Sequence, residues 1–375
     1  MKTPFNLSTK KDLELFINNE NFKKIFILVG KKSYKLSGIN KTLEKLLEKK
    51  TIKFYFKQSS FPECFELLQI INSIKKFSPD LIIAAGGGSV LDYAKIARVL
   101  QDEEDLDKKI IKSNYILKEF STKLLAIPTT AGSGAEVTSN AVIYVNKIKY
   151  SVEGELIKPD FFFLIPDFIK GASNEIKSAA GFDAISQSIE SLVAKKSNNE
   201  SVDYAKRSLE ISLKYFLRFL ENPNHENTCA MSFAANLSGR AINISKTTAP
   251  HAVSYPFTSI YNISHGHAVS LTLNEFLRFN YLNFKHAKCD FDLKKRYEIL
   301  FSLANVNNFN DLDKHLLNLK KRANLESDFN RLGINGENSF SRIMSGINIL
   351  RLSNNPVDLD HNDIKNILNK IAATK

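Results

Sequence analysis

Short apolar runs alternate with helical patterns along the first half of the chain. The runs KIFILV, IKFYF, LIIAA and LLAIP have the length of buried strands, and the first three precede apolar residues at helical spacing. Strands that alternate with helices predict a mainly parallel sheet covered by helices on both faces. Three later runs, AVIYV, KYSVE and FFFLIP, are predicted to add strands as a ribbon at the edge of this sheet.

The pattern changes after about Pro166, where strand-like runs give way to long helical periodicities. Examples are Ala179 to Ala194, Val202 to Leu220 and Met231 to Asn243. We therefore predict an α/β protein of two domains, an α/β domain at residues 1–170 and an all-helical domain at residues 171–375. Neither a repeat nor a low-complexity linker is visible, so we expect the domains to pack closely and to leave a cleft.

Composition narrows the class of protein. The lysines behind the net charge of +12 are scattered, without the interleaved aromatics of a nucleic-acid site, so no nucleic acid is predicted as partner. Cys64, Cys229 and Cys289 form no disulfide framework, which favours a reducing compartment. The first residues lack the apolar stretch of a signal peptide, and no later stretch approaches a membrane span. We expect a soluble cytoplasmic protein without a membrane partner.

The segment Gly86-Gly87-Gly88-Ser89 lies between a predicted strand and a predicted helix. Glycines let the backbone approach an anion closely, and a helix N-terminus offers free N–H groups to phosphate. Asp92 lies in the first helical turn, where the helix dipole favours a carboxylate. A tight strand-to-helix turn also needs glycine, so the triplet by itself leaves both interpretations open.

A second loop, from Pro128 to Glu136, follows another predicted strand and contains the hydroxyls of Thr129, Thr130 and Ser133. Loops at the carboxyl ends of neighbouring parallel strands are where a dinucleotide binds. The pair of loops therefore predicts a Rossmann-like dinucleotide-binding domain.

A candidate metal site lies in the helical half. Asp183 and Gln187 are four residues apart on one helical face, and three of the seven histidines, His251, His265 and His267, follow within a short stretch. One Asp and two His suit a catalytic divalent ion with an open position for substrate. Structural hydrogen bonds of the histidines and a helix-capping role of the Asp remain alternatives.

Four motifs in order, GGGSVLDYAK, PTTAGSGAEVT, GFDAISQSIES and HAVSYPFTSIYNISHG, resemble the iron-containing (group III) alcohol dehydrogenases, over about Val29 to Asn280. The resemblance implies the dehydroquinate synthase-like fold, an N-terminal dinucleotide domain, a helical C-terminal domain with a metal in the cleft between them, and a homodimer. It assigns the metal to Asp183, His251 and His265, and it identifies Lys149 with a lysine that family members place near the cofactor. A solvated surface position is the alternative for Lys149.

Two positions depart from the family pattern. Gln187 stands where most members have a second metal-binding His, so we expect a three-ligand site in which Gln187 is either a weak ligand or replaced by water. Tyr255 stands where many members have a His near the nicotinamide. With the neighbouring motifs, these departures resemble the subgroup that reduces phosphonoacetaldehyde to 2-hydroxyethylphosphonate. Histidine and carboxylate ligands suit both Fe²⁺ and Zn²⁺.

The resulting hypothesis is NAD(P)H-dependent reduction of a small anionic aldehyde. His267 or Tyr255 supplies the proton, with orientation of His265 as the alternative role of His267. Lys246 and Arg240 are the candidate anchors for the substrate anion.

NADPH is favoured over NADH because Gly30, at the end of the first predicted strand, replaces an aspartate common in NAD-preferring members. The dinucleotide site is thus predicted from a larger set, namely Gly30, Gly86, Gly87, Gly88, Ser89, Asp92, Thr129, Thr130, Ser133 and Lys149.

Three alternatives remain: another short-chain alcohol or aldehyde oxidoreductase of the family, a dehydroquinate synthase-like lyase or cyclase, and a non-catalytic binding protein.

Overall fold

The computed structural model describes Phe5 and residues 7–373, apart from the side chains of Glu337 and Leu350. Part of the N-terminal stretch that argued against a signal peptide therefore lies outside the described residues. The chain forms two compact units. The first runs to Ser173 and also includes Pro223–Asn236, and the second consists of Asn174–Asn222 and the chain from Leu237 onward.

The first unit contains a five-stranded sheet in the order β2-β1-β3-β4-β7, in which every pair of neighbours is parallel. The strands of the described residues are β1 (Lys24–Gly30), β2 (Thr51–Lys57), β3 (Leu81–Gly86), β4 (Lys123–Pro128), β5 (Asn140–Val145), β6 (Ile148–Glu153) and β7 (Phe161–Phe162). The helices of this unit before residue 173 are α1 (Lys10–Asn19), α2 (Lys31–Leu36), α3 (Ile39–Leu46), α4 (Cys64–Phe77), α5 (Gly88–Val99) and α6 (Leu106–Ile111).

Both faces of the sheet are buried, which is why its strands consist of nearly continuous apolar runs. In β1, Phe26 and Leu28 face a core that includes side chains of α4 and α5. The alternate residues Ile25 and Ile27 face a second core, which includes side chains of α1 and α3. The predicted parallel sheet with helices on both faces is confirmed.

The predicted edge ribbon differs from the structure. Strands β5 and β6 form their own antiparallel pair, whose apolar side chains join the core beside α4 and α5. The run FFFLIP contributes only Phe161 and Phe162, which pair in parallel with β4. Phe163 still donates to the Ala126 carbonyl at 3.0 Å, and the chain then enters a 3₁₀ helix at Pro166, whose ring nitrogen cannot donate to a hydrogen-bond ladder.

The second half is helical, as predicted. Its helices are α7 (Asn174–Val193), α8 (Asn199–Glu221), α9 (His225–Ser245), α10 (Ala249–Tyr261), α11 (His265–Leu282), α12 (Leu293–Ala304), α13 (Phe309–Arg322), α14 (Gly336–Ser345) and α15 (His361–Ala373). Helix α7 is buried along most of its length because α8 and α11 pack against it. A short 3₁₀ helix, Ile349–Asn354, precedes α15. Among the helices of the described residues, none combines the length and the hydropathy that crossing a bilayer requires.

The fully buried side chain of Lys95, on α5, forms hydrogen bonds to the loop after β4. The Nζ of Lys95 donates to the carbonyl oxygens of Ala135 (3.0 Å) and Asn140 (2.6 Å) and to the Thr138 hydroxyl (2.8 Å). Asp92 lies 3.8 Å from the same ammonium and accepts a hydrogen bond from the Val142 backbone. A buried cation needs this complete set of partners, so the contacts fix the position of the loop.

We predict that Lys95→Met destabilises the protein by about 3 kcal/mol, because it removes the Lys95 ammonium from beside the buried carboxylate of Asp92. Urea denaturation followed by circular dichroism measures the effect. Lys76→Met, at an exposed position of α4, is the matched control and should change the free energy of unfolding by less than about 0.5 kcal/mol. Equal stabilities of the two variants would contradict the bracing role of Lys95.

Candidate functional site

Three side chains from three helices of the second unit meet in one cluster. Asp183 lies on α7, His251 on α10 and His265 at the start of α11, and their ligand atoms all lie within 4.8 Å of one another. The Nε2 atoms of His251 and His265 are 3.3 and 3.9 Å from Asp183 Oδ1. Two ligand atoms that each bind one ion at about 2.1 Å lie roughly 3 to 4 Å apart, so these distances fit a shared divalent metal.

Gly266 allows the close approach of α11 to α7 that this cluster requires. A Cβ at position 266 would lie 1.9 Å from the carbonyl oxygen of Ala179 and 2.8 Å from Asp183 Cβ. Any larger residue would push the first turn of α11, and with it His265, away from Asp183. The SHG motif is therefore explained by packing between these two helices.

Glu190, which the sequence analysis did not identify, contacts the Nδ1 side of the His251 ring. Its Oε1 lies 2.8 Å from His251 Nδ1, and its Oε2 accepts a hydrogen bond from the Thr248 backbone at 2.7 Å. A donating Nδ1–H leaves the Nε2 lone pair for a metal. The spacing of Asp183, Gln187 and Glu190, by four and then three residues, places all three on one face of α7 and was the available signal.

The residues around His251 stabilise the protonated, positively charged form of its imidazole. Burial alone would lower the pKa of His251, but the charge of Glu190 and the hydrogen bonds to Asp183 and Glu190 outweigh burial and raise this pKa to about 9. One carboxylate and two imidazoles, those of Asp183, His251 and His265, are also ordinary ligands of Fe²⁺ or Zn²⁺. The donor set therefore fits a divalent cation.

Gln187 orients Asp183 instead of offering its oxygen to the cluster. Its amide nitrogen donates to Asp183 Oδ2 at 3.1 Å, and its amide oxygen accepts a hydrogen bond from the Ser238 hydroxyl at 3.0 Å. A metal would need that oxygen, so Asp183, His251 and His265 are the group of residues that could hold a metal.

The two predicted proton donors have different surroundings. The Tyr255 ring stacks on the His265 ring, with centroids 5.4 Å apart and an interplanar angle of 4°. Burial raises the pKa of Tyr255 to about 12, against the lowering effect of the Arg351 charge and hydrogen bond. His267 instead shares a 2.7 Å hydrogen bond with the carbonyl of Glu326, so its contact is with the chain after α13.

In the first unit, the glycine triplet forms the turn from β3 into α5. A Cβ at Gly86 would lie 2.6 Å from Val90 Cγ2, and one at Gly88 would lie 2.7 Å from Ser133 Oγ. Within the described residues, no side chain caps the N-terminus of α5. Its N–H groups therefore remain suited to an anion, as the dinucleotide prediction requires.

The loop after β4 lies against this turn. The Thr129 backbone donates to the Gly86 carbonyl at 2.9 Å, and Thr130 is the nearest neighbour to a Cβ built on Gly87. Within the part of the chain that the structure describes, the buried Thr129 hydroxyl has no hydrogen-bond partner. An unpaired buried hydroxyl beside a free helix N-terminus fits the predicted phosphate site.

Four further residues were predicted for the dinucleotide site, namely Lys149, Asp92, Gly30 and Ser89, and each has a different environment. Lys149 is buried and donates to the Ser151 hydroxyl at 3.1 Å, so the alternative of a solvated surface lysine is wrong. Burial raises the pKa of Asp92, against the lowering effects of Lys95 and Lys149. Gly30 ends β1, where its carbonyl accepts a hydrogen bond from Ser33, and Ser89 is half-buried in the first turn of α5.

The two predicted substrate anchors, Arg240 and Lys246, lie within α9 and directly after it. The Arg240 guanidinium lies over the ring of Tyr204, 6.0 Å from its centroid. Lys246 follows the last residue of α9 and has a left-handed backbone, with φ of 57°.

Comparisons with known proteins agree with this geometry. Residues 5–166 match the family described as iron-containing alcohol dehydrogenase. Residues 177–372 match the family described as Fe-containing alcohol dehydrogenase, C-terminal.

The individual relatives are similar to this chain at low sequence identity. A phosphonoacetaldehyde reductase of Streptomyces viridochromogenes is 28% identical over 221 residues, which cover 56% of this chain and 56% of that protein. A 4-hydroxybutyrate dehydrogenase of Clostridium kluyveri is 28% identical over 222 residues, covering 57% and 59%. The chain thus spans less than two thirds of the length of either relative. The crystal structure of sulfoacetaldehyde reductase from Bifidobacterium kashiwanohense in complex with NAD⁺ has a TM-score of 0.85 at 22% identity, covers 100% of both chains, and shows the same fold.

We predict that Glu190→Gln weakens the binding of Zn²⁺ about 10- to 100-fold. The amide keeps one acceptor but turns an NH₂ group toward one of the two donors, His251 Nδ1–H or the Thr248 N–H. Competition with a chromophoric chelator measures the dissociation constant. Glu210→Gln, exposed on α8, is the matched control, and an unchanged affinity of Glu190→Gln would refute the orienting role.

Proposed function

Because this chain belongs to the iron-containing alcohol dehydrogenase family, we propose that it is a metal-dependent, NAD(P)-dependent reductase of small anionic aldehydes. The observation that carries the proposal is the convergence of Asp183, His251 and His265. When bound, a divalent ion supplies Lewis-acid polarisation of a carbonyl oxygen, and a reduced nicotinamide supplies hydride.

In this proposal each residue of the second unit has a defined task. Asp183, His251 and His265 hold the metal, while Gln187 and Glu190 keep the first two of these ligands in orientation. Tyr255 remains protonated at neutral pH, because its pKa is about 12, and it therefore acts as a hydrogen-bond donor to a substrate oxygen rather than as a base. His267 is assigned a structural role, since its ring is engaged with the Glu326 carbonyl.

In the first unit, the dinucleotide is assigned to the two loops at the ends of β3 and β4. The N–H groups at the start of α5 bind its phosphates, and the hydroxyls of Thr129, Thr130 and Ser133 add donors. Gly87 and Gly88 keep the surface of this turn free of side chains. Lys149 contributes a buried positive charge to the same unit.

The substrate class rests on two independent supports. The names of three similar proteins refer to small molecules that carry a phosphonate, a carboxylate or a sulfonate, whereas a butanol dehydrogenase of Clostridium saccharobutylicum, also similar, is named for a neutral alcohol. The net charge of +12 also favours an anionic small molecule over a cationic one. Phosphonoacetaldehyde, reduced to 2-hydroxyethylphosphonate, is the specific substrate that we propose, and another short-chain aldehyde is the alternative.

The other sequence-based expectations remain proposals alongside this one. They are a homodimer, a cytoplasmic location and a domain division near residue 170. A preserved three-ligand geometry favours the enzyme over a non-catalytic binding protein.

We predict that the zinc- or iron-loaded protein reduces phosphonoacetaldehyde with a kcat/KM roughly 10- to 100-fold above that for propanal, the range that one charge-assisted contact contributes. The oxidation of NADPH at 340 nm measures both rates. Asp183→Ala should lose the metal and the activity together. Consumption of neither aldehyde by the loaded enzyme would sink the reductase proposal.

We predict a kcat/KM for NADPH at least about tenfold above that for NADH, because the end of β1 carries Gly30 and two exposed lysines, Lys31 and Lys32, instead of a carboxylate. Gly30→Asp should reverse the preference. The new Cβ would lie 2.7 Å from Ser33 Oγ, so the substitution is best made in a Ser33→Ala background, with Ser33→Ala alone as control. A wild-type preference for NADH would refute this assignment.

A further inference from the structure

His265 is the most exposed of the three candidate metal ligands. Its side chain is 36% exposed, against 6% for Asp183 and 3% for His251. It is also the first residue of α11. Side chains on a helix lean toward the N-terminus and rest on the preceding turn, and a residue at the first position has no such turn. The orientation of the His265 ring therefore has to come from a neighbouring element.

Helix α10 provides this neighbour on the face that also carries a metal ligand. His251 and Tyr255 are four residues apart on α10, so their side chains lie on one face of the helix. The Tyr255 ring is parallel to the His265 ring within 4°, with centroids 5.4 Å apart. The His251 ring lies 5.3 Å from the His265 ring at an angle of 69°. His265 thus stacks on one ring of α10 and meets the other in an edge contact.

These two ring contacts determine where the nitrogen atoms of His265 point. Offset stacking and edge-to-face contact are the two arrangements that aromatic pairs prefer. A quarter turn of the His265 ring about its bond to Cβ would break the parallel stack. The same turn would move Nε2 from its position 3.9 Å from Asp183 Oδ1. The stack therefore favours the ring orientation in which His265 can bind a metal together with Asp183 and His251.

Packing against α14 fixes the part of α10 that carries Tyr255. The next residue, Pro256, lies against Gly346 at the end of α14, where a Cβ would be 2.9 Å from Pro256 Cγ. Both helices contribute apolar side chains to one buried core. Tyr255 itself is buried. Its ring is therefore a fixed surface on which the exposed His265 ring can rest.

We propose that Tyr255 is a positioning residue, whose ring holds the imidazole of His265 in the orientation that binds the metal. This inference rests on the metal site of the proposed function, and it gives the ring a task that is separate from the task of the hydroxyl. Phenylalanine at position 255 keeps the ring and loses the hydroxyl, whereas leucine loses both. The two substitutions therefore separate the two tasks.

The test measures the affinity of the full-length protein for Zn²⁺ by competition with a chromophoric chelator. We expect Tyr255→Leu to weaken Zn²⁺ binding about 3- to 10-fold, the contribution of one aromatic pair, and Tyr255→Phe to stay within about twofold of the wild type. Tyr261→Leu is the matched control, because it removes a ring from the last residue of α10, where the ring lies under the Arg342 guanidinium. This control should bind Zn²⁺ like the wild type.

The visible absorption of the Co²⁺-loaded protein adds a readout of ligand geometry, because the bands of this ion depend on the arrangement of its ligands. Tyr255→Phe should have the spectrum of the wild type, and Tyr255→Leu should have shifted bands. A general loss of stability would not produce this difference between two folded variants.

The outcomes separate this inference from the proposed function. Equal Zn²⁺ affinities of Tyr255→Leu and the wild type, or equal losses in Tyr255→Leu and Tyr255→Phe, overturn the role of the ring and leave the reductase proposal standing. If the protein reduces no aldehyde but the two variants still differ in Zn²⁺ affinity, the proposed function fails and the role of Tyr255 stands. Absence of Zn²⁺ binding by the wild type overturns both. If Tyr255→Leu does not fold, Tyr255→Met, which also lacks a ring, decides by the same criteria.

Discussion

Two nearly completely buried carboxylates, Asp183 and Glu190, lie on one face of α7, and the second unit is arranged to compensate their charge. An unpaired charge in this position would cost several kcal/mol, so each oxygen needs a partner. Gln187 and the histidines surround Asp183, whereas His251 and the Thr248 backbone take up Glu190. The hydrogen bonds that offset the cost of burying the two carboxylates also orient the histidine rings toward one possible metal position. Stability and metal chemistry thus depend on one set of hydrogen bonds.

The first unit contains a buried positive charge, that of Lys95, which also needs polar partners. A parallel sheet places the ends of β3 and β4 side by side, and the backbone of Thr129 joins the two loops directly. The buried ammonium of Lys95 then holds the far end of the second loop against α5. Among the described residues, no side chain caps the turn from β3 into α5. A loop that is rigid but has unoccupied donors is what an anionic cofactor requires.

The fold and the ligands could be predicted to a large extent from local pattern. Apolar runs predict strands because both faces of the sheet are buried, and ordered motifs predict Asp183, His251 and His265 because their family resemblance is specific. The edge ribbon was mistaken, since the period of a strand does not say which strand it pairs with. Glu190 was missed even though its spacing from Asp183 was visible. The sequence does not distinguish a buried glutamate on a helix from a solvated one, because the difference depends on the residues that pack around it.

The sequence by itself determined the alternation of strands and helices, the two loops and the residue types able to bind a metal, because these depend on periodicity and on chemistry within short segments. Only the tertiary structure decided that the oxygen of Gln187 faces Ser238, that His267 faces Glu326, and that Tyr255 stacks on His265. Such choices depend on which helices pack together and how closely, as Gly266 illustrates for α7 and α11. Distances of that kind arise from the packing of side chains remote in sequence, which no local pattern specifies.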